Sequence, residues 1–184
     1  MNETFPTLFN PIKIGVLDLR NRLIMALYPT KYATDSMVND RMMAFFRARA
    51  RGGVALIVLD ACCLDYPAVY KGPVELRMDT KDHEAGLRSL VNAVQAEGAR
   101  AFMQLNYPAA IPVDPGTQGA KEKKGTWRLP LINGAEVSRL KHVVACMGEG
   151  ALKAKEIGYD GVEIQAGWGD LAPCDGGLKP RVLP

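Results

Sequence analysis

The stretch KEIGYDGVEIQAGWGDL, residues 155–171, decides how this chain is read. A helix end runs into Gly158, and a short apolar strand then closes on Gln165. Trp168 and Asp170 follow directly. A strand entered from a helix, with polar groups delivered at its far end, is how parallel α/β sheets and barrels present functional residues.

The same helix-then-strand unit occurs twice upstream. One helix spans about 39–51, with Asn39 as its cap, Met42, Phe45 and Phe46 on its apolar side, and Gly52 and Gly53 at its end. It leads into VALIVLD, 54–60, apolar at every position until Asp60, as a strand buried on both faces should be. A second helix begins near Asp82 and sets Leu87, Leu90, Val91 and Val94 along one face. Gly98 stops it, and RAFMQLN, 100–106, is the next strand. The third helix, about 135–157, carries Val137, Leu140, Val144, Met147, Ala151 and Ala154 in steps of three and four. Gly148 and Gly150 weaken its middle by up to ~1 kcal/mol each relative to alanine. RLIMAL, 22–27, supplies an earlier strand, and IKIGVLDLR, 12–20, alternates about Gly15 as a small β-hairpin.

The order β-α-β-α-β-α-β makes parallel strands with right-handed crossovers the physical default. The expected fold class is α/β, a partial (half) TIM barrel of about four parallel strands and three helices with an N-terminal β-hairpin. Residues 1–184 read as a single domain, with the half-barrel over 8–171, a long loop over 107–134 and an irregular tail over 172–184. The 184 residues can bury a core but fall short of the ~250 typical of a complete barrel.

Charge and cysteines exclude several classes of function. The net charge is only +3, and the densest basic run, KEKK at 121–124, sits among glycines, so it reads as a solvated loop and not a nucleic-acid surface. No apolar run approaches the ~20 residues that span a bilayer, and MNETFPTLFNP lacks the basic-then-apolar order of a secretory signal. A cytoplasmic protein with no membrane or nucleic-acid partner is expected. Cys62, Cys63, Cys146 and Cys174 form no Cys-x-x-Cys pair, and the two histidines, His83 and His142, are taken as lying too far from them in sequence to make a zinc site. Reduced, mostly buried thiols and no metal site are the expectation.

Over residues 8–171 the chain resembles the Old Yellow Enzyme family of FMN-dependent oxidoreductases, in its NADH:flavin oxidoreductase and 2,4-dienoyl-CoA reductase branch. The residues that carry the likeness are LFNPIKIG-x-LDLRNRLIMA, RARARGGVALIVLDA, GLRSLVNAVQAEGARAFMQLN and AKEIGYDGVEIQ-x-G-x-G-x-L, in order and at family-like spacing. The resemblance implies FMN as cofactor, NAD(P)H as reductant and a small-molecule substrate. It implies that backbone at Met25, Ala26, Leu27 and Ala61 lies along the flavin edge. It also implies that Gln104 bonds the flavin pyrimidine, a task suited to an amide that donates and accepts at once. The family's catalytic motif after the fourth strand, His-x-x-His/Asn-x-Tyr, falls here on Gln165, Trp168 and Asp170, so all three positions are substituted. Gln165 keeps a donor for a substrate carbonyl, whereas Asp170 is ionised near neutral pH and lacks the proton the tyrosine would deliver. Tyr107 reads as loop packing, with a substitute acid or a flavin-stacking ring as alternatives.

Strands five to eight of such a barrel, which supply the phosphate site and a basic residue near flavin N1, have no counterpart in the sequence, so a truncated member is expected. Two open strand edges remain, and Ile57, Phe102 and Ile164 are expected on an inward face exposed to water. The remedies are association as a homodimer that completes the barrel, which is the favoured one, pairing with a C-terminal half-barrel subunit, or a tail that folds back across the open face. Two functions stay open: an FMN-dependent NAD(P)H oxidoreductase with an altered substrate site, or a non-catalytic half-barrel that serves as a scaffold.

Overall fold

A computed structural model describes residues 4–67, 72–107 and 137–165. The elements run α1 (Pro6–Phe9), β1 (Ile12–Ile14), β2 (Leu17–Leu19), β3 (Ile24–Met25), α2 (Asp40–Arg51), β4 (Leu56–Cys63), β5 (Leu76–Arg77), α3 (Lys81–Ala96), β6 (Arg100–Asn106), α4 (Val137–Ile157) and β7 (Gly161–Ile164). Trp168, Asp170, Cys174, the KEKK run, the tail over 172–184 and all of the 107–134 loop except Tyr107 lie outside the described residues.

The sheet has the order β3-β4-β6-β7, and every neighbouring pair is parallel. β4, β6 and β7 are each reached through one helix, giving the expected arc of four strands. β4 is buried at every position but Ala61, which is what its unbroken apolar sequence requires. Asn39 accepts the Met42 amide at 3.0 Å to start α2, and the Thr80 hydroxyl accepts the His83 amide at 3.3 Å to start α3. On the helical side, Phe46, Leu87, Leu90, Val91 and Ile157 join Ile57, Leu59, Met103 and Leu105 in one core. The β1–β2 hairpin closes the N-terminal end of the sheet, where Ile12, Leu17 and Leu19 pack on Ala55, Leu56 and Phe102.

Several expectations are corrected. β3 pairs only at Ile24 and Met25, because the chain then leaves β4, and the upper part of that edge is taken by the unanticipated strand β5, with Cys62 opposite Leu76. Ile57 and Ile164 do not face inward. Ladder partners share a face, Ile57 lies opposite Ala101 and Ile164 opposite Leu105, and both partners belong to the helix-side core. Phe102 alone of the three lies on the inner face, and the hairpin partly covers it. In α4, Val144 is 72% exposed, and the buried row runs through Val143, Cys146, Ala154 and Ile157. Two adjacent rows satisfy the same three-and-four spacing, and contact selects the one containing Gly150. A Cβ at Gly150 would stand 2.8 Å from Leu64 Cδ2, so the glycine that weakens the helix also lets it approach the sheet.

Arg20, just past the hairpin, ties the layers together. Its Nη2 donates to the carbonyls of Ala50 at 2.7 Å and Val54 at 2.9 Å, and its Nη1 donates to Glu97 O at 3.1 Å. These carbonyls lie at and beyond the C-terminal ends of α2 and α3, and that of Ala50 also accepts the Gly53 N–H at 3.0 Å. Gly98, at φ +80, leaves the room: a Cβ there would lie 2.9 Å from Arg20 Nη1. Replacing Arg20 by alanine is expected to lower the unfolding free energy by about 2 kcal/mol. Arg20→Lys should recover less than half of that, since an ammonium lacks the guanidinium fork. Urea unfolding of the two variants measures both effects. The Tyr159 hydroxyl is the one buried side-chain polar atom without a partner among the described residues. Tyr159→Phe should therefore leave stability unchanged or raise it by about 1 kcal/mol in the same experiment.

Candidate functional site

The C-terminal ends of the strands open on a cleft of ≈ 540 Å³. A bulge in β4 shapes its floor. Leu59 pairs with Met103 and Cys62 with Leu105, so β4 uses three steps where β6 uses two. The extra residue places both Asp60 and Ala61 on the cleft, a use of bulges common beside binding sites.

Asp60 is buried, and the loop after β3 closes over it. The Thr30 amide donates to Asp60 Oδ1 at 3.1 Å, and the Thr30 hydroxyl donates to Oδ2. Burial pushes the Asp60 carboxyl above its ordinary value, and the two Thr30 bonds offset this only in part. The pairing pins Leu27, Pro29 and Lys31 along the rim of the cleft. Lys31 holds a left-handed backbone, φ 53, unusual away from glycine, and is the only cation among the lining residues.

β6 contributes Gln104 and Asn106 from the same face. Gln104 is 4% exposed, and its Nε2 donates to Glu163 Oε1 at 2.6 Å and to Gln165 Oε1 at 3.2 Å. The register, Gln104 opposite Glu163, makes these bonds possible. The Gln165 backbone N–H donates to Leu105 O at 2.9 Å. No bond to the Gln104 carbonyl oxygen occurs among the described residues, so one acceptor beside the cleft stays available.

Of the residues named from sequence, Leu27, Ala61, Gln104 and Gln165 thus line one cleft. Met25 turns its side chain into the helix-side core, and Ala26 is exposed without lining the cleft. Tyr107 is buried away from the cleft, and its hydroxyl donates to Asp65 Oδ2 at 2.8 Å, in keeping with packing. Cys62, Cys63 and Cys146 are free and buried. Burial pushes the Cys62 thiol well up and that of Cys63 to about 11, so both are neutral near pH 7. Sequence reasoning missed Thr30, Lys31, Asn106 and Glu163. Glu163 was open to it, lying two residues before Gln165 on the same strand face. The partnership of Thr30 with Asp60 had no local signal.

The family model for the NADH:flavin oxidoreductase / NADH oxidase family matches residues 7–171. A metal reductase of Desulforamulus reducens is 38% identical over 171 residues, covering 89% of this chain and 25% of the relative. An NADH oxidase of Thermoanaerobacter brockii is 32% identical, covering 91% and 27%. The solved structure of the old yellow enzyme from Trypanosoma cruzi superposes with a TM-score of 0.66 at 25% identity, over 88% of this chain and 51% of that one. The chain therefore spans about a quarter of the length of these two relatives and about half of the barrel structure.

The Asp60 environment makes a directional prediction. A carboxyl raised on folding contributes stability that is complete below its ordinary 3.8 and is lost as pH rises through the raised value. Carbon-13 NMR should find Asp60 titrating above 3.8, and Thr30→Val should move it higher still. A downward move would show that burial is not what governs the group.

Proposed function

The chain belongs to the NADH:flavin oxidoreductase / NADH oxidase family, and on that premise we propose that it is the flavin-edge half of an FMN-dependent NAD(P)H oxidoreductase acting on a small electron acceptor. The observation that carries the reading is the buried Gln104 amide, set on the cleft at the end of β6 with its carbonyl oxygen available. FMN, when bound, supplies the capacity to take a hydride from NAD(P)H and pass electrons to the acceptor.

The chain's own residues fit the ring end of that cofactor. Leu27, Pro29 and Ala61 offer an apolar wall, and Gln104 offers an acceptor for a ring N–H. Lys31 brings positive charge to a cleft that must tolerate an electron-rich ring. Gln165 keeps an amide at the place where an acceptor's oxygen would sit. Protonation of carbon is the step least supported, because Asp170 stands where the family places a tyrosine. An acceptor that takes electrons without a proton delivered to carbon is therefore favoured over an activated C=C bond. The names of the two relatives, metal reductase and NADH oxidase, agree with that preference.

No arginine and no helix residue lines the cleft, so the cofactor phosphate has no cradle among the described residues. β3 and β7 also end the described sheet without an outer partner. We therefore propose that a second copy of this chain or a C-terminal half-barrel completes the ring and supplies the phosphate site. Among the described residues no helix is long and apolar enough to cross a membrane, and the free thiols support work in the cytoplasm. The competing reading, a half-barrel scaffold without chemistry, rests on the substituted positions Gln165, Trp168 and Asp170.

Titration of FMN with the purified chain should quench flavin fluorescence, and Gln104→Leu should weaken binding about tenfold. NADH should be consumed with ferricyanide or oxygen and not with a cyclic enone. Protein that neither quenches FMN nor turns over NADH supports the scaffold. Light scattering should find a species heavier than the 20.0 kDa chain, and a stable monomer at micromolar concentration would overturn self-association.

A further inference from the structure

A second cluster of reactive side chains lies outside the cleft, where the end of β4, the end of β6 and the first turns of α4 meet. His142 and Cys146 are four residues apart on α4 and share a helix face, a juxtaposition that reading the cysteines and histidines separately overlooks. Asp65, just beyond β4, reaches the same point. His142 Nε2 lies 2.8 Å from Asp65 Oδ2 and 3.5 Å from Cys146 Sγ, and the three ligand atoms all fall within 4.8 Å of one another. We infer that Asp65, His142 and Cys146 form a binding site for a divalent transition-metal ion of zinc's class.

The convergence on one nitrogen carries the argument. In a Cys-His-Asp nucleophilic relay, thiol and carboxylate occupy opposite ring nitrogens, so that the base is oriented from behind. Here both face Nε2, which defeats a relay but matches three ligands gathered about one centre. Zinc bonds of ~2.0–2.3 Å in a tetrahedron set neighbouring ligand atoms roughly 3.3–3.6 Å apart. The nitrogen–sulfur distance already has that value, and the carboxylate oxygen must draw back about half an ångström from the nitrogen while closing on the sulfur, which lies within 4.8 Å of it. The thiol also lacks the marks of a nucleophile, because burial first and the Asp65 charge second push Cys146 above its ordinary value.

The surroundings complete the site. The Tyr107 hydroxyl donates to Asp65 Oδ2 at 2.8 Å and holds the carboxylate in place, as the outer partners of metal ligands do. Burial acts to raise the Asp65 carboxyl, but the bonds from His142 and Tyr107 outweigh it and keep the group below the ordinary carboxylate range. His142 is more than half exposed, which leaves a path for entry and room for water as a fourth ligand. A thiolate, an imidazole and one carboxylate favour zinc-like ions over magnesium or calcium, which prefer all-oxygen sites. On binding, the proton on Nε2 moves to Nδ1, and the Cys146 thiol gives its proton to solvent.

Cobalt(II) titrated into the purified, flavin-free chain should develop a thiolate-to-cobalt charge-transfer band that saturates at one ion per chain. Zinc should abolish the band, and excess magnesium should not. Cys146→Ser should remove it, His142→Ala should weaken binding by at least about 100-fold, and Tyr107→Phe by about tenfold. His142 is exposed enough for its variant to keep the fold, which circular dichroism checks. A band that persists in Cys146→Ser, a His142→Ala affinity within about twofold of the parent, or no binding below about millimolar cobalt would each overturn the site. Because FMN is absent throughout, these results are independent of flavin binding.

Discussion

Strand β4 has to hide both faces and satisfy both edges, and the rest of the structure is arranged around that demand. Its outward residues Ile57, Leu59 and Cys62 require a helical layer, and its inward end at Leu56 requires the hairpin. One edge is filled along its length by β6, the other first by β3 and then by β5. A strand so enclosed has little freedom, and its single irregularity is placed where the cleft begins. The bulge at Asp60 and Ala61 follows from the mismatch between β4 and β6 and gives the cleft a buried carboxylate. That carboxylate draws in Thr30, and Thr30 fixes the loop that forms the rim.

The outer strands lack this completeness. Ile24 is 50% exposed on the inner face of β3, and Ile164 is 59% exposed on the helix side of β7. Apolar area removed from water is worth roughly 25 cal/mol per Å², against a typical net stability of ~5–15 kcal/mol for a whole domain. Among the described residues β3 and β7 have no outer strand, and these exposed apolar groups are the physical ground of the proposed association.

Two groups of polar side chains lie at the C-terminal ends of β4 and β6, and they differ in kind. The cleft gathers amides, a lysine, the buried Asp60 carboxyl and Glu75 around open volume, an arrangement suited to a flat heterocycle. The Asp65–His142–Cys146 group gathers three ligand types about one point, an arrangement suited to an ion. Alternation along β6 keeps Gln104 and Asn106 on the cleft, while the residue beyond the strand, Tyr107, turns to the other group.

Much of the architecture was legible in the sequence because it rests on local rules. Helix faces, glycine stops and the unbroken run of β4 reveal element order, parallel topology and the strand ends where Gln104 and Gln165 lie. Local periodicity could not choose between adjacent rows of α4, since Val143 and Val144 serve the spacing equally until Leu64 and Leu105 meet Gly150. Nor could it show that β5 would displace β3, or that Ile57 and Ile164 would turn outward, because those outcomes depend on register between distant strands. The amino-acid sequence by itself determined the three long helices, the hairpin and the four main strands, and which polar residues reach the strand ends, through propensity and hydrophobic period. Only the tertiary structure decided that Thr30 meets Asp60, that Glu163 meets Gln104 and that Asp65 meets His142 and Cys146, because each meeting joins residues far apart in the chain through strand register and helix packing.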